Sequence, residues 1–230
     1  MKDLSALKEL LRRSPLLFGG LFLFTELSQQ FYINLSHAAQ IQGTDTVKLM
    51  VALGQLLVSL IEFLVLAMLV PQRIMEMDLN LPATPFMDFF KKHIGPLTIE
   101  GIRALAVCLM WTLLLILPGI YKYIRLFFVP YVVIADPAYQ TGQRDALAYS
   151  NDIVAGNTLM VFVMTLLLTA LDYARGFSRE FFPLDQNPLL ALIFSISFYF
   201  ATLYVNVLVF RYYQHLVRKF EEKKPHGTHV

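Results

Sequence analysis

The chain has 230 residues, of which 57% are hydrophobic and 16% are charged, whereas soluble domains carry about 25% charged residues. This composition excludes an ordinary soluble domain and predicts a membrane protein. The net charge of +2 is too small to indicate nucleic-acid binding, and the single cysteine, Cys108, excludes a disulfide framework within the chain.

Six apolar segments are close to the length of about 20 residues that a helix needs to cross a bilayer. We predict an all-α bundle of six transmembrane helices in one membrane domain, residues 15–211. It lies between an N-terminal segment, 1–14, and a basic tail, 212–230. The first apolar run, preceded by basic residues, resembles a signal peptide but is interpreted as half of a retained helix. The predicted spans are 15–36, 48–71, 99–118, 119–136, 155–173 and 187–211.

The third and fourth predicted spans meet at Pro118-Gly119. Glycine ends a helix well and proline restricts the residue before it, so almost no loop remains and a tight helical hairpin is expected. Pro130 lies inside the fourth span. We expect it to bend the helix and to free a carbonyl for a neighbouring hydroxyl group or water.

The basic residues predict the orientation of the spans, because lysine and arginine are more frequent in cytoplasmic loops. With both termini inside, fourteen of the 19 basic residues are on the inner side. The five on the outer side are Lys48, Lys122, Arg125, Arg175 and Arg179. We therefore predict cytoplasmic N- and C-termini.

Two connections on the predicted inner side share one plan. Residues 84–94 and 141–157 each begin with threonine and are expected to form a short amphipathic helix at the membrane interface, although the first could instead pack against the bundle. Their shared plan suggests an internal repeat of residues 48–118 and 119–173. The basic residues expected to contact anionic lipid headgroups there are Lys91, Lys92 and Arg144.

Polar side chains lie on one face of each of four predicted spans. They are either hydrogen-bonded contacts between helices or the lining of a polar cavity or headgroup site. The groups are Glu26, Gln29 and Gln30; Gln55, Ser59 and Glu62; Thr158, Thr165, Thr169 and Asp172; and Ser195, Tyr199, Thr202 and Asn206.

Charges at membrane depth indicate which of these residues could be functional. Glu26 and Glu62 are expected near the middle of the bilayer. Arg125 is expected in the outer third, where it either reaches the headgroups, as Lys122 does, or pairs with one of the two glutamates. The candidate site residues are Glu26, Gln30, Gln55, Glu62, Arg125, Asp172 and Asn206.

The chain contains no HExxH, CxxC, GxSxG or phosphate-binding glycine motif, and the histidines lack ligand-like spacing within a helix. We therefore predict a protein that is not an enzyme, with no catalytic residue, no metal ligand and no cofactor.

Residues 117–173 contain the motifs LPGIY, VPYVVIADP and DALAYSNDIVAGN. They resemble bacterial six-helix inner-membrane proteins of the YciC type and are similar to the membrane domain fused to some glycerophosphoryl diester phosphodiesterases. The resemblance implies structural roles for the motifs and a bacterial inner-membrane function in envelope or lipid homeostasis. The matching positions are Pro118, Gly119, Pro130, Asp145, Ala146, Leu147, Ser150, Gly156 and Asn157.

Three hypotheses for function follow. The first is a non-enzymatic protein that binds lipid, moves it or organises the membrane. The second is a transporter of a small solute or ion that uses Glu26, Glu62 and Arg125. The third is an accessory subunit or scaffold. The expected partners are membrane lipids and no nucleic acid, and a second copy of the chain or another membrane protein is a further possibility.

Overall fold

The computed structural model describes residues 2–181 and 188–223, and within them every regular element is a helix. The prediction of an all-α fold is confirmed. The helices are α1 (Lys2–Arg13), α2 (Pro15–Gln42), α3 (Asp45–Asp78), α4 (Phe86–Leu114), α5 (Ile116–Arg125), α6 (Val129–Ala135), α7 (Pro137–Gln140), α8 (Ala146–Val154), α9 (Thr158–Phe181) and α10 (Pro188–Lys223).

Within residues 2–181 and 188–223, five helical segments are long and apolar enough to cross a membrane. The first predicted span corresponds to α2, which is not among them, in keeping with the polar residues that interrupt it. Gly54 of α3 nevertheless packs closely against the ring of Tyr32 of α2. The five segments are Asp45–Asp78, Phe86–Leu114, Ile116–Ala135, Thr158–Ser178 and Pro188–Lys223.

The hydrophobic core lies toward one end of the bundle. It is built from residues 66–74 of α3, 129–134 of α6 and 203–216 of α10, with Leu10 of α1 packed among them. Beyond this packed end, the other halves of α3, α9 and α10 carry many exposed large apolar side chains. Such a surface is typical of helices that face lipid.

Ion pairs join the connections between helices at the packed end. Arg211 of α10 lies 2.6 Å from Asp78 at the end of α3. Arg103 of α4 lies 2.8 Å from Asp145, just before α8. The connections that we predicted to be on the inner side are therefore on the same side of the bundle as the last turns of α10.

The structure corrects two predicted boundaries near the packed end. Residues 84–94 do not form a separate interfacial helix, because α4 continues unbroken from Phe86 to Leu114. Pro96 lies inside this helix without ending it. The predicted basic tail is also helical as far as Lys223, and residues 224–230 lie outside the described part of the chain.

The second predicted surface helix is present as α8, but one face of it is buried in the bundle. Ser150 is fully buried, and its hydroxyl group donates to the backbone oxygen of Arg125 at 3.0 Å. A turn that includes Gly156 and Asn157 connects α8 to α9. The internal repeat stays a prediction.

The predicted hairpin between α4 and α5 forms, but its turn lies earlier than expected. The helix breaks at Leu115, whose backbone is extended, and Pro118-Gly119 lies within the first turns of α5. Gly119 is buried, and a Cβ atom there would clash with the side chain and the backbone of Thr112. Glycine is required here for the close approach of two helices rather than for a turn.

The fourth predicted span is interrupted rather than simply bent. It consists of α5 and α6, separated by a turn at residues 126–128. Pro130 occupies the first turn of α6, where its missing N–H group leaves no helical hydrogen bond unmade.

We expect Gly119→Ala to lower the free energy of unfolding by about 1–3 kcal/mol, because α4 and α5 would have to separate. Gly101→Ala on α4 is the matched control, since nothing lies within 4 Å of its added Cβ. That change should be neutral or stabilising by up to about 1 kcal/mol. Chemical unfolding in detergent measures both, and equal effects would refute the packing role of Gly119.

Asp145 caps α8 by accepting a hydrogen bond from the Ala148 N–H group at 2.9 Å. This bond, with the Arg103 guanidinium, holds the pKa of Asp145 below its ordinary value despite opposing desolvation. A carboxyl group with a lowered pKa stabilises the fold above its unfolded pKa, about 3.9 for aspartate, and loses that effect as the pH falls through the folded value.

We expect Asp145→Ala to cost about 1 kcal/mol at neutral pH and to remove part of the acid-dependent loss of stability. Asp152→Ala, an exposed position on the same helix, is the control. Thermal unfolding from neutral pH to below the ordinary aspartate pKa measures both. The capping role would be refuted if the two variants followed the same pH profile.

Candidate functional site

A polar cavity of about 400 Å³ lies in the bundle beside the hydrophobic core. Its apolar wall includes Leu66 of α3 and Pro130 and Tyr131 of α6. The polar faces predicted on four helices meet here. The polar lining residues are Gln29 of α2; Gln55, Ser59 and Glu62 of α3; Thr165, Thr169, Asp172 and Arg175 of α9; and Thr202 and Asn206 of α10.

Arg175 forms a buried ion cluster with two glutamates from other helices. One terminal nitrogen of its guanidinium lies 2.7 Å from Glu26 of α2, and the other lies 3.0 Å from Glu62 of α3. Arg175 is only 4% exposed. Because an unpaired charge is costly in an apolar bundle, these contacts compensate the charge of Arg175 and connect α9 to α2 and α3.

Arg125 does not pair with either glutamate. Its Nε donates to the side chain of Asn151 on α8 at 3.1 Å, and its guanidinium lies over the Tyr121 ring. The hypothesis that Arg125 turns inward to Glu26 or Glu62 is therefore wrong. Arg125 lies beside α8, and its predicted depth in the membrane stays a prediction.

Sequence reasoning missed Arg175 because it ended the fifth span at residue 173 and assigned this arginine to an outer loop. The helix instead continues to Phe181. The spacing of the polar residues could have indicated that Arg175 belongs to this helix. Arg175 follows Asp172 by three residues, so it extends the helix face that carries Thr165, Thr169 and Asp172.

The polar residues on α9 are in different hydrogen-bonding states. The hydroxyl groups of Thr165 and Thr169 donate to carbonyl oxygens one turn earlier, at 2.9 and 3.0 Å. Among the described residues, Asp172 has no hydrogen-bond or salt-bridge partner. The buried Nε of Arg175 also lacks a partner there.

The other candidate residues divide between the cavity and local contacts. Gln55 and Asn206 line the cavity, and the Asn206 amide also donates to the Thr202 carbonyl at 2.9 Å. Gln30 does not line it. Its amide group donates to Asn34 on its own helix at 3.1 Å, while Gln29 takes the position at the cavity.

The predicted lipid contacts lie at the packed end of the bundle. Lys91 and Lys92 are exposed on the first turns of α4. Arg144 is instead held within the protein, 2.8 Å from Asp136 and 3.0 Å from Glu221. Lipid contact by these three residues stays a prediction.

A second buried polar cluster closes the connection between α3 and α4. Arg73 is 3% exposed and donates to the Thr84 backbone oxygen at 3.0 Å, while the Thr84 N–H group donates to Glu76 at the same distance. Gln72 donates to the Thr84 hydroxyl group at 2.8 Å. In the sequence analysis Arg73 was only one of the basic residues counted on the inner side. In the structure its hydrogen bonds stabilise the connection between α3 and α4.

No family model, no curated protein and no solved structure matches the chain. The resemblance to the YciC type stays a prediction, as do the expected absences of catalytic residues, metal and cofactor. The evidence for a functional site therefore comes only from the geometry of the cavity.

Arg175→Ala should lower the free energy of unfolding by about 3–5 kcal/mol, because the buried Glu62 and the half-buried Glu26 would both lose their ion pair with Arg175. Arg125→Ala is the matched control, since it removes one hydrogen bond to a neutral amide and should cost about 1 kcal/mol. Unfolding of both variants in detergent gives the comparison. Similar losses in the two variants would contradict the central role of the ion cluster.

Proposed function

We propose that this chain is a non-enzymatic integral membrane protein that binds the headgroup of a membrane lipid in the polar cavity. The observation that carries the proposal is the convergence of polar faces from α2, α3, α9 and α10 on a space of about 400 Å³. If these side chains served only to join helices, they would contact one another and leave no such space.

Access from the lipid side supports a lipid rather than a wholly enclosed ligand. Asp172 and Gly176 line the cavity and also line a shallow groove with Tyr173 and Phe177. Tyr173 is 78% exposed and Phe177 is 62% exposed. A headgroup in the cavity would leave its acyl chains near these aromatic rings.

The proposed topology has six spans, with α2 as the first, in a bacterial inner membrane with both termini cytoplasmic. The close packing of α2 against α3 supports this, as does the meeting of the charged connections at one end. Moving Arg175 from the outer loop into the bundle strengthens the bias of the basic residues toward the inner side.

A transporter of a small solute is the second candidate. The packed end of the bundle favours this candidate, because it closes the cavity on one side. A site that is closed on one side corresponds to one state of an alternating-access transport cycle. In that case Glu62→Gln should abolish solute flux in proteoliposomes while the protein remains folded. If the protein is instead an accessory subunit, Glu62→Gln should lower only its stability.

Gly176→Phe tests the lipid-binding proposal, because the position lines the cavity and nothing lies within 4 Å of an added Cβ. The ring should occupy the cavity with little strain. We expect the wild type, released from lipid nanodiscs, to retain a phospholipid in native mass spectra and the variant to lose it.

Gly101→Phe is the matched control. It introduces the same side chain at an exposed glycine of another helix, with the same free space and away from the cavity. It should retain lipid as the wild type does. Equal retention by all three proteins, or no retention by the wild type, would refute lipid binding in the cavity.

A further inference from the structure

Two polar groups of opposite character lack partners on the same face of α9. The Asp172 carboxylate has no hydrogen-bond or salt-bridge partner among the described residues. The Nε–H group of Arg175 is buried and has none either. Both residues line the cavity and lie three positions apart, so one ligand can reach both. A buried polar group usually has a partner, and a ligand that also reaches the exposed Asp172 carboxylate would supply one to the Arg175 Nε–H group.

Two threonines add acceptors to the carboxylate. The hydroxyl protons of Thr165 and Thr169 are used in hydrogen bonds to backbone carbonyl oxygens, at 2.9 and 3.0 Å. Their oxygens are therefore left to accept hydrogen bonds in the cavity that they line. Together with Asp172 they favour a ligand group that donates several hydrogen bonds, such as a primary ammonium group.

The charges of the cavity exclude a simple anion. Among the described residues, three carboxylates, those of Glu26, Glu62 and Asp172, stand near one guanidinium, and two of them bind it. A purely anionic ligand would be repelled by the excess negative charge. A bare cation would leave the Arg175 Nε–H group unmatched. A ligand that matches both groups carries a positive charge beside an acceptor oxygen.

We propose that the cavity recognises a phosphoethanolamine group, with its primary ammonium at Asp172 and its phosphate oxygen at the Nε of Arg175. This inference rests on the proposed function, because it specifies the headgroup bound at that site. The same chemistry occurs in the headgroup of phosphatidylethanolamine and in free phosphoethanolamine, and the experiment separates these two sources.

The wild type should be placed in nanodiscs that contain equal amounts of phosphatidylethanolamine, phosphatidylcholine and phosphatidylglycerol, and then released for native mass spectrometry. We expect phosphatidylethanolamine to be retained about tenfold or more over the other two. The quaternary ammonium of phosphatidylcholine has no N–H group to donate, and phosphatidylglycerol has no ammonium group.

Asp172→Asn removes the carboxylate charge at a position that has no hydrogen-bond or salt-bridge partner among the described residues, so the fold should be kept. We expect this variant to retain phosphatidylethanolamine, phosphatidylcholine and phosphatidylglycerol in equal amounts. Asp152→Asn is the matched control, because it makes the same change at an exposed position on α8 and should keep the preference. Thermal unfolding verifies that both variants are folded.

A second measurement titrates free phosphoethanolamine by calorimetry into the protein in phosphatidylglycerol nanodiscs. Binding by the wild type but not by Asp172→Asn, without retention of phosphatidylethanolamine, would support the inferred chemistry and refute the lipid as its source. Retention of all three lipids equally, lost in Gly176→Phe, would overturn this inference and leave the proposed function standing. If no lipid is retained and phosphoethanolamine does not bind, both are overturned.

Discussion

A guanidinium group inside an apolar bundle is stable only if its charge is neutralised, and Arg175 meets this requirement through Glu26 and Glu62. The two glutamates come from helices that lie far from α9 in sequence, so the cluster determines how α2, α3 and α9 are arranged around the cavity. In the part of the chain that the structure describes, the buried Nε–H group of the same guanidinium has no hydrogen-bond partner. The same contact therefore stabilises the bundle and gives the cavity its chemical character.

Local patterns in the sequence predicted most of the architecture. Hydrophobic runs located the helices, and polar residues predicted to share a helix face line a common cavity. These patterns involve residues within a few turns of one helix, so helical periodicity alone is enough to recognise them.

The features that were missed depend on contacts between distant elements. The end of α9 could not be predicted from hydropathy, because a charged residue such as Arg175 usually marks the end of an apolar span. Only its partners, Glu26 and Glu62, explain why the helix continues past it. Residues 84–94 looked like a separate surface helix because their apolar side chains fall on one face, yet α4 runs unbroken from Phe86 to Leu114. Gly119 suggested a turn, whereas the structure shows that it allows close contact with Thr112.

The packed end of the bundle also affects how the rest of it can move. Residues 66–74 of α3 are held in the core, whereas most of the helix from Asp45 to Ile61 has few buried side chains. At about 1.5 Å per residue, the far tip of α3 lies roughly 30 Å from this anchored base. A tilt of one degree at the base would then displace the tip by about 0.5 Å. A small change in the packing of the core would therefore produce a larger displacement at the far end of α3.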